Sequence, residues 1–164
     1  LKEVVYHNAQ DIVSLAALFI HVTTLLDGDI SPESIPIDDL IAISRIYWDL
    51  GSFDTSRKIL QATLPRVHRS DHKMIINSSL GCYYKKIGCS HESVKYWQVA
   101  ANEGDVVACI ELAMYFEHTV KDIPTAMGWC EKALHVGDGT KDKREQRDLQ
   151  KRMYRLQQKW SNHV

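Results

Sequence analysis

Apolar residues recur every three or four positions along nearly all of the 164-residue chain, and no stretch alternates as a half-buried strand does. The pattern predicts an all-α protein. A first helix is expected from about Ala9 to Leu26, stopped by Asp27-Gly28-Asp29. Ser31 and Ile35 in the segment that follows each precede a proline, whose ring crowds them out of helical conformations, so residues 30–36 read as a linker. Three helix pairs are then expected, over 37–64, 72–103 and 105–136. In the first, Leu40, Ile43, Ile46 and Tyr47 share a face, Gly51 closes the helix and Asp54 caps the next one. In the second, Ile76, Leu80, Tyr84 and Ile87 face Val94, Trp97 and Ala100, with Ser90 as the cap between them. In the third, Asp105 caps a helix bearing Cys109, Leu112 and Phe116, and Asp122 caps one bearing Ala126, Trp129, Cys130 and Ala133. A last helix, from about Lys141 to Trp160, has one apolar residue per turn (Leu149, Met153, Leu156, Trp160) and is otherwise charged, as a terminal cap should be.

Superimposed on this periodicity is an echo at an offset of 37 residues: Tyr47, Gly51, Ser56 and Leu60 recur as Tyr84, Gly88, Ser93 and Trp97. The glycine is apt because the residue after a helix end often needs a positive φ, which glycine adopts without steric penalty. A single helix pair cannot bury its apolar face, so echoed pairs must stack.

Composition narrows the functional classes. The chain is 45% hydrophobic and 25% charged, ordinary values for a globular domain. Its first residue is Leu1 rather than Met, and it is expected to be a fragment. The apolar run from Ile12 to Leu26 is too short to span a bilayer and lacks the basic front of a signal peptide, so a cytoplasmic protein without a membrane segment is expected. Cys82, Cys89, Cys109 and Cys130 have no CxxC spacing and read as reduced packing residues. The net charge of −1 hides an imbalance: residues 1–54 carry nine acids against two bases, net −7, leaving +6 for the rest. Different partners are expected for the two ends.

The second pair, SSLGCYYKKIGCSHESVKYWQVA, is similar to a tetratricopeptide repeat: Leu80-Gly81, Tyr84, Gly88, Ser93, Trp97 and Ala100 stand in that motif's order. The first copy departs at Ser44 and Thr63, and the third has Ala113 for glycine plus one extra residue in the turn from Glu117 to Asp122. The resemblance implies a right-handed α-α superhelix of about three pairs over 37–164 that binds a protein or peptide in its groove. Residues on the first helix of each pair line such a groove; Ser78 and Lys85, seven apart on one helix face, are candidate contacts, with Tyr83 and Glu111 beside them. Trp48 and Tyr83, each next to an aromatic expected to be buried, are candidates for exposed contacts.

A second resemblance links the two ends. YHNAQDIVSLAAL resembles the end of the ribonuclease H-like exonuclease domain of YprB-type bacterial proteins, and LAMYFEHTVKDIPTAMGWCEKAL resembles the helical tail that follows it. This implies that residues 1–29 close an upstream nuclease domain, that Asp11 is a metal ligand there (Mg or Mn), and that His7 lies at its site. Two-metal hydrolysis needs several converging carboxylates, so the chain by itself is expected to be noncatalytic, with no cofactor of its own; the intact protein would be the candidate 3′-5′ exonuclease. The basic last helix offers a rival reading. Eight bases against three acids give it +5, and Lys143, Arg144, Arg147, Lys151 and Arg155 become candidate phosphate contacts for nucleic acid. Pairing such as Asp148 with Arg152 on a solvated cap is the alternative. A third possibility is a tail that only stabilises the nuclease domain. The run His68-Arg69-Ser70-Asp71-His72 has metal-ligand residue types but is expected in a loop without fixed geometry.

Overall fold

A computed structural model describes residues 23–24, 32–137 and 143–161. The expected first helix, with His7 and Asp11, lies outside the described residues apart from Thr23 and Thr24, which are helical. The described residues form seven α-helices and no strand: α1 (Ile37–Asp49), α2 (Phe53–Thr63), α3 (Ser70–Lys86), α4 (Ser90–Asn102), α5 (Val106–Tyr115), α6 (Ile123–Gly137) and α7 (Lys143–Ser161). The all-α helical-repeat fold expected from the sequence is what the described residues adopt.

The chain divides into two compact units, 1–59 and 60–164. In the first, a 3-10 turn at Pro32–Ser34 precedes α1, whose buried residues are Leu40, Ile43 and Ser44. Ile46 was expected on that face but is exposed, because at 100° per residue it stands beyond the edge of the stripe centred on Leu40 and Ser44. Ser44 is tolerated in the buried stripe because its hydroxyl donates to the Ile41 carbonyl at 2.7 Å. Trp48 packs edge-on against Phe53, with ring centroids 4.9 Å apart. Asp54 is not the cap of α2: the helix starts one residue earlier, and Asp54 sits in the first turn, 3.4 Å from Arg57.

In the second unit α3 packs on α4, α5 on α6, and α7 on α6, while α4 joins the pairs through α5 and α3 touches α5. Contact between the first helices of successive pairs is what a stacked repeat requires. The shared core runs from Val94 and Trp97 through Cys109, Leu112, Ile123 and Cys130 to Leu149, Met153 and Leu156. Ala100, Ala108, Ala113, Ala126 and Ala133 are wholly buried, and their small side chains let the helices approach closely. Gly81 has the same role in sharper form. A Cβ added there would lie 2.3 Å from Trp97 Nε1, so the indole of α4 lies directly on the α3 backbone.

The echo at 37 residues is a repeated backbone cap. Gly51 (φ 79°) and Gly88 (φ 77°) end α1 and α3, and the next residue, Ser52 or Cys89, donates its N–H to the carbonyl of Tyr47 or Tyr84 at 2.8 Å in both. That is the six-to-one bond of a Schellman cap. Gly104 (φ 98°) repeats it, with Asp105 N–H on the Ala100 carbonyl at 3.0 Å. Ser90, expected as a cap, is instead the first residue of α4, and Cys89 holds the cap position without a side-chain bond. Asp105 and Asp122 cap as expected: Asp105 accepts from Val107 N–H at 2.8 Å, and Asp122 from Thr125 N–H at 3.0 Å and Thr125 Oγ at 2.6 Å.

Candidate functional site

The cleft begins at the C-terminal end of α3. Lys85 there reaches across to Glu111 on α5, its Nζ donating to both carboxylate oxygens at 2.7 and 2.6 Å. The same ammonium stands 5.8 Å from the centroid of the Trp97 ring. Between α3 and α4 on one side and α5 on the other opens a cleft of about 210 Å³. Its apolar lining is Trp97, Met114 and Tyr115; Lys85 and Glu111 supply charge, and His118 and Thr119 supply polar groups from the turn after α5. An apolar lining with a few placed polar groups suits the capture of a side chain.

Of the four groove residues expected from sequence, the structure brings Lys85 and Glu111 together at this cleft. Ser78 is half-buried on α3, two turns before Lys85, and does not line it. Tyr83 is not the exposed groove contact that the sequence suggests. It is buried at 7% exposure, and its neighbour Tyr84 is the half-buried one, stacked on Tyr96 at 5.2 Å and accepting from Gln61 at 2.9 Å. Adjacent helix positions differ by 100° and both aromatics fit an apolar stripe, so the stripe alone does not say which of the two is buried. Trp48 is also not an open contact, since Phe53 shields one edge.

His118 and Thr119 were missed, and the signal for them was the extra residue after Glu117. The structure absorbs it as one π-helical turn, Phe116–Val120, with i to i+5 hydrogen bonding. Lys121 then takes the left-handed conformation (φ 62°) that glycine takes elsewhere, and Asp122 N–H reaches the Phe116 carbonyl at 2.9 Å, six residues back instead of five. The bulge turns Glu117 inward. Its side chain is fully buried, and it accepts from Arg155 (2.8 Å), Arg152 (3.3 Å) and Lys159 (2.5 Å) of α7, with His118 Nε2 at 3.5 Å. Burial alone would push the carboxyl up, but the bonds from Lys159 and Arg155 outweigh it and hold Glu117 below the usual glutamate range.

This hub revises the view of α7 as a nucleic-acid track. Arg155 faces Glu117, and Arg152 pairs with Glu117 rather than with Asp148, which takes Lys151 at 3.6 Å. A buried carboxylate draws the cations more strongly than an exposed one on the same helix. Arg144, Arg147 and Lys151 are exposed, while the side chain of Lys143 lies outside the described residues.

No metal-binding group of three or more His, Cys, Asp or Glu exists among the described residues. The stretch around His68 is not the loop that was expected: Ser70, Asp71 and His72 form the first turn of α3, with His72 buried and Asp71 paired to Arg69. All four cysteines are free thiols. Burial pushes Cys109 up to about 11 and raises Cys82 and Cys130 as well, so these are packing groups rather than nucleophiles. Cys89 is exposed, unlike the packing residue expected there, because it stands in the turn between α3 and α4. Among the described residues no helix is long and apolar enough to cross a membrane.

No family model matches the chain. Over 166 residues it is 28% identical to the uncharacterized protein YprB of Bacillus subtilis (strain 168). The match takes in 99% of this chain but 39% of that protein, so the chain spans about two fifths of its relative's length.

Proposed function

We propose that the chain is a noncatalytic, tetratricopeptide-like module that holds a segment of a partner protein, carried as the C-terminal part of a ribonuclease H-like nuclease. The observation that carries this reading is the cleft lined by Trp97, Met114 and Tyr115, with the Lys85–Glu111 pair at its edge. An apolar side chain of the partner enters the cleft, and the ion pair orients the flanking backbone. In the intact protein Asp11 would be one ligand of a Mg or Mn site, and His7 would lie beside it; catalysis there would be metal-dependent 3′-5′ cleavage of nucleic acid, with the present chain supplying no step.

The test is to pan a displayed peptide library against the chain and to remeasure the enriched peptides on Met114→Trp, which fills the cleft. A loss of tenfold or more in affinity is expected. Failure to enrich any peptide, or peptides indifferent to Met114→Trp, would remove the proposal.

A second reading draws on the exposed Arg144, Arg147 and Lys151 of α7, a short basic track that would steady nucleic acid for the nuclease. An oligonucleotide titration at two salt concentrations separates it from the first: binding that weakens with salt supports it, and no binding ends it.

A further inference from the structure

Arg152, Arg155 and Lys159 occupy positions i, i+3 and i+7 of α7 and so share one face. All three converge on a single carboxylate, that of Glu117. One buried negative charge against three cations leaves an excess of +2 at one place. Arg152 and Arg155 each spend one terminal nitrogen on Glu117, and a guanidinium has five N–H donors. The side chains of Arg155 and Lys159 are 50% and 43% exposed, and that of Arg152 21%, so their unspent donors lie at the protein surface. Glu117 meanwhile holds the three long side chains in one arrangement, which removes part of the ordering cost that an anion would otherwise meet.

We propose that Arg152, Arg155 and Lys159 form a binding site for a phosphate dianion at the solvent edge of the Glu117 hub. Guanidinium groups match the planar, paired acceptors of a phosphoryl group, and an ammonium adds a point charge. A phosphate monoester carries between −1.5 and −2 at neutral pH, roughly the excess present here, whereas a diester carries a single charge. The dianion is therefore the preferred guest, whether free phosphate or the terminal group of a nucleotide. The site is independent of the cleft reading, since none of the three cations lines the cleft.

The experiment is calorimetric titration of the full chain with inorganic phosphate, adenosine 5′-monophosphate and dimethyl phosphate. Saturable binding of the first two is expected, with dimethyl phosphate at least tenfold weaker. A tighter nucleotide than free phosphate assigns the guest to nucleotides; equal affinities assign it to the ion alone, and both support the site. The double variant R155Q/K159Q should lose binding while keeping its helical circular dichroism. Lys95→Gln, on α4 and paired with Glu92, should leave it unchanged. No saturable binding of phosphate, a dimethyl phosphate as tight as phosphate, or a double variant that still binds would each overturn the proposal.

Discussion

The pair α3–α4 and the pair α5–α6 solve the same problem with different turns. The first uses a three-residue connection with Gly88 in the left-handed region and a six-to-one bond to Tyr84. The second carries one more residue, spends it on a π turn, and puts Lys121 where the glycine would stand. The regular turn ends one helix and leads into the next through a single backbone cap. The irregular one aims Glu117 into the protein and sets His118 and Thr119 at the cleft, so the departure in the turn is also where charge and cleft meet. Single π turns are rare and recur at functional sites.

The sharpest way to break the regular pair is Gly81→Ala. The new Cβ would stand 2.3 Å from the Trp97 indole, which is itself 3% exposed and has little room to retreat. Overpacking of this kind should cost about 3 kcal/mol, read as a lowered midpoint in urea with an unchanged slope. A midpoint within error of the parent would mean that Trp97 swings away freely, and that the close α3–α4 contact is not what holds the pair.

Breaking the irregular pair calls for Glu117→Ala, which leaves three cations facing one another around a cavity. Removing one partner of a buried ion pair costs up to 3–5 kcal/mol, but these cations are partly in water, so about 2 kcal/mol is expected. Hydrogen exchange should show the loss concentrated in α7. Acid should do the same to the parent. Because the folded-state pKa of Glu117 is depressed, its contribution is fully present above the unfolded value of about 4.3 and disappears as pH falls through the lower folded value. Stability of α7 against exchange should therefore hold from neutral pH to about 5 and drop below about 4, a dependence that Glu117→Ala abolishes. The same fall in the variant would place the pH sensitivity on other carboxylates.

The contrast between the two turns also explains what the sequence alone makes legible. Periodicity places all seven described helices, and Gly51 and Gly88 mark the ends of α1 and α3, because a local rule connects each residue to its consequence. Lys85 and Glu111 could be named as surface contacts, yet their pairing joins two residues 26 apart in the chain, on different helices. The same holds for the hub. The extra residue after Glu117 is visible in the sequence, but whether an insertion loops out or forms a π turn depends on what the rest of the protein offers its side chains. Here α7 offers Arg155, Arg152 and Lys159, and of these only Arg155 is among the five bases that the sequence alone suggests as nucleic-acid contacts. Tyr83 and Tyr84 fail for a narrower reason: neighbouring aromatics on one helix cannot be ordered by burial until the partner helix is in place.

The smallest effects are expected at the turns themselves. Gly88 and Lys121 share positive φ, 77° and 62°, but only one of them is a glycine. Space is not the constraint at Gly88, since nothing lies within 4 Å of an added Cβ, so Gly88→Ala isolates the backbone term. A left-handed non-glycine residue costs about 1 kcal/mol, and that loss is expected. Lys121→Gly should run the other way, relieving the same strain while loosening the unfolded chain, for a net gain of about 0.5 kcal/mol or less. Opposite signs in paired urea titrations would show that the two turns differ in length alone and share one backbone requirement. A loss in Lys121→Gly would mean instead that the lysine side chain contributes to the π turn, and that the irregular connection is held by more than Glu117 and its cations.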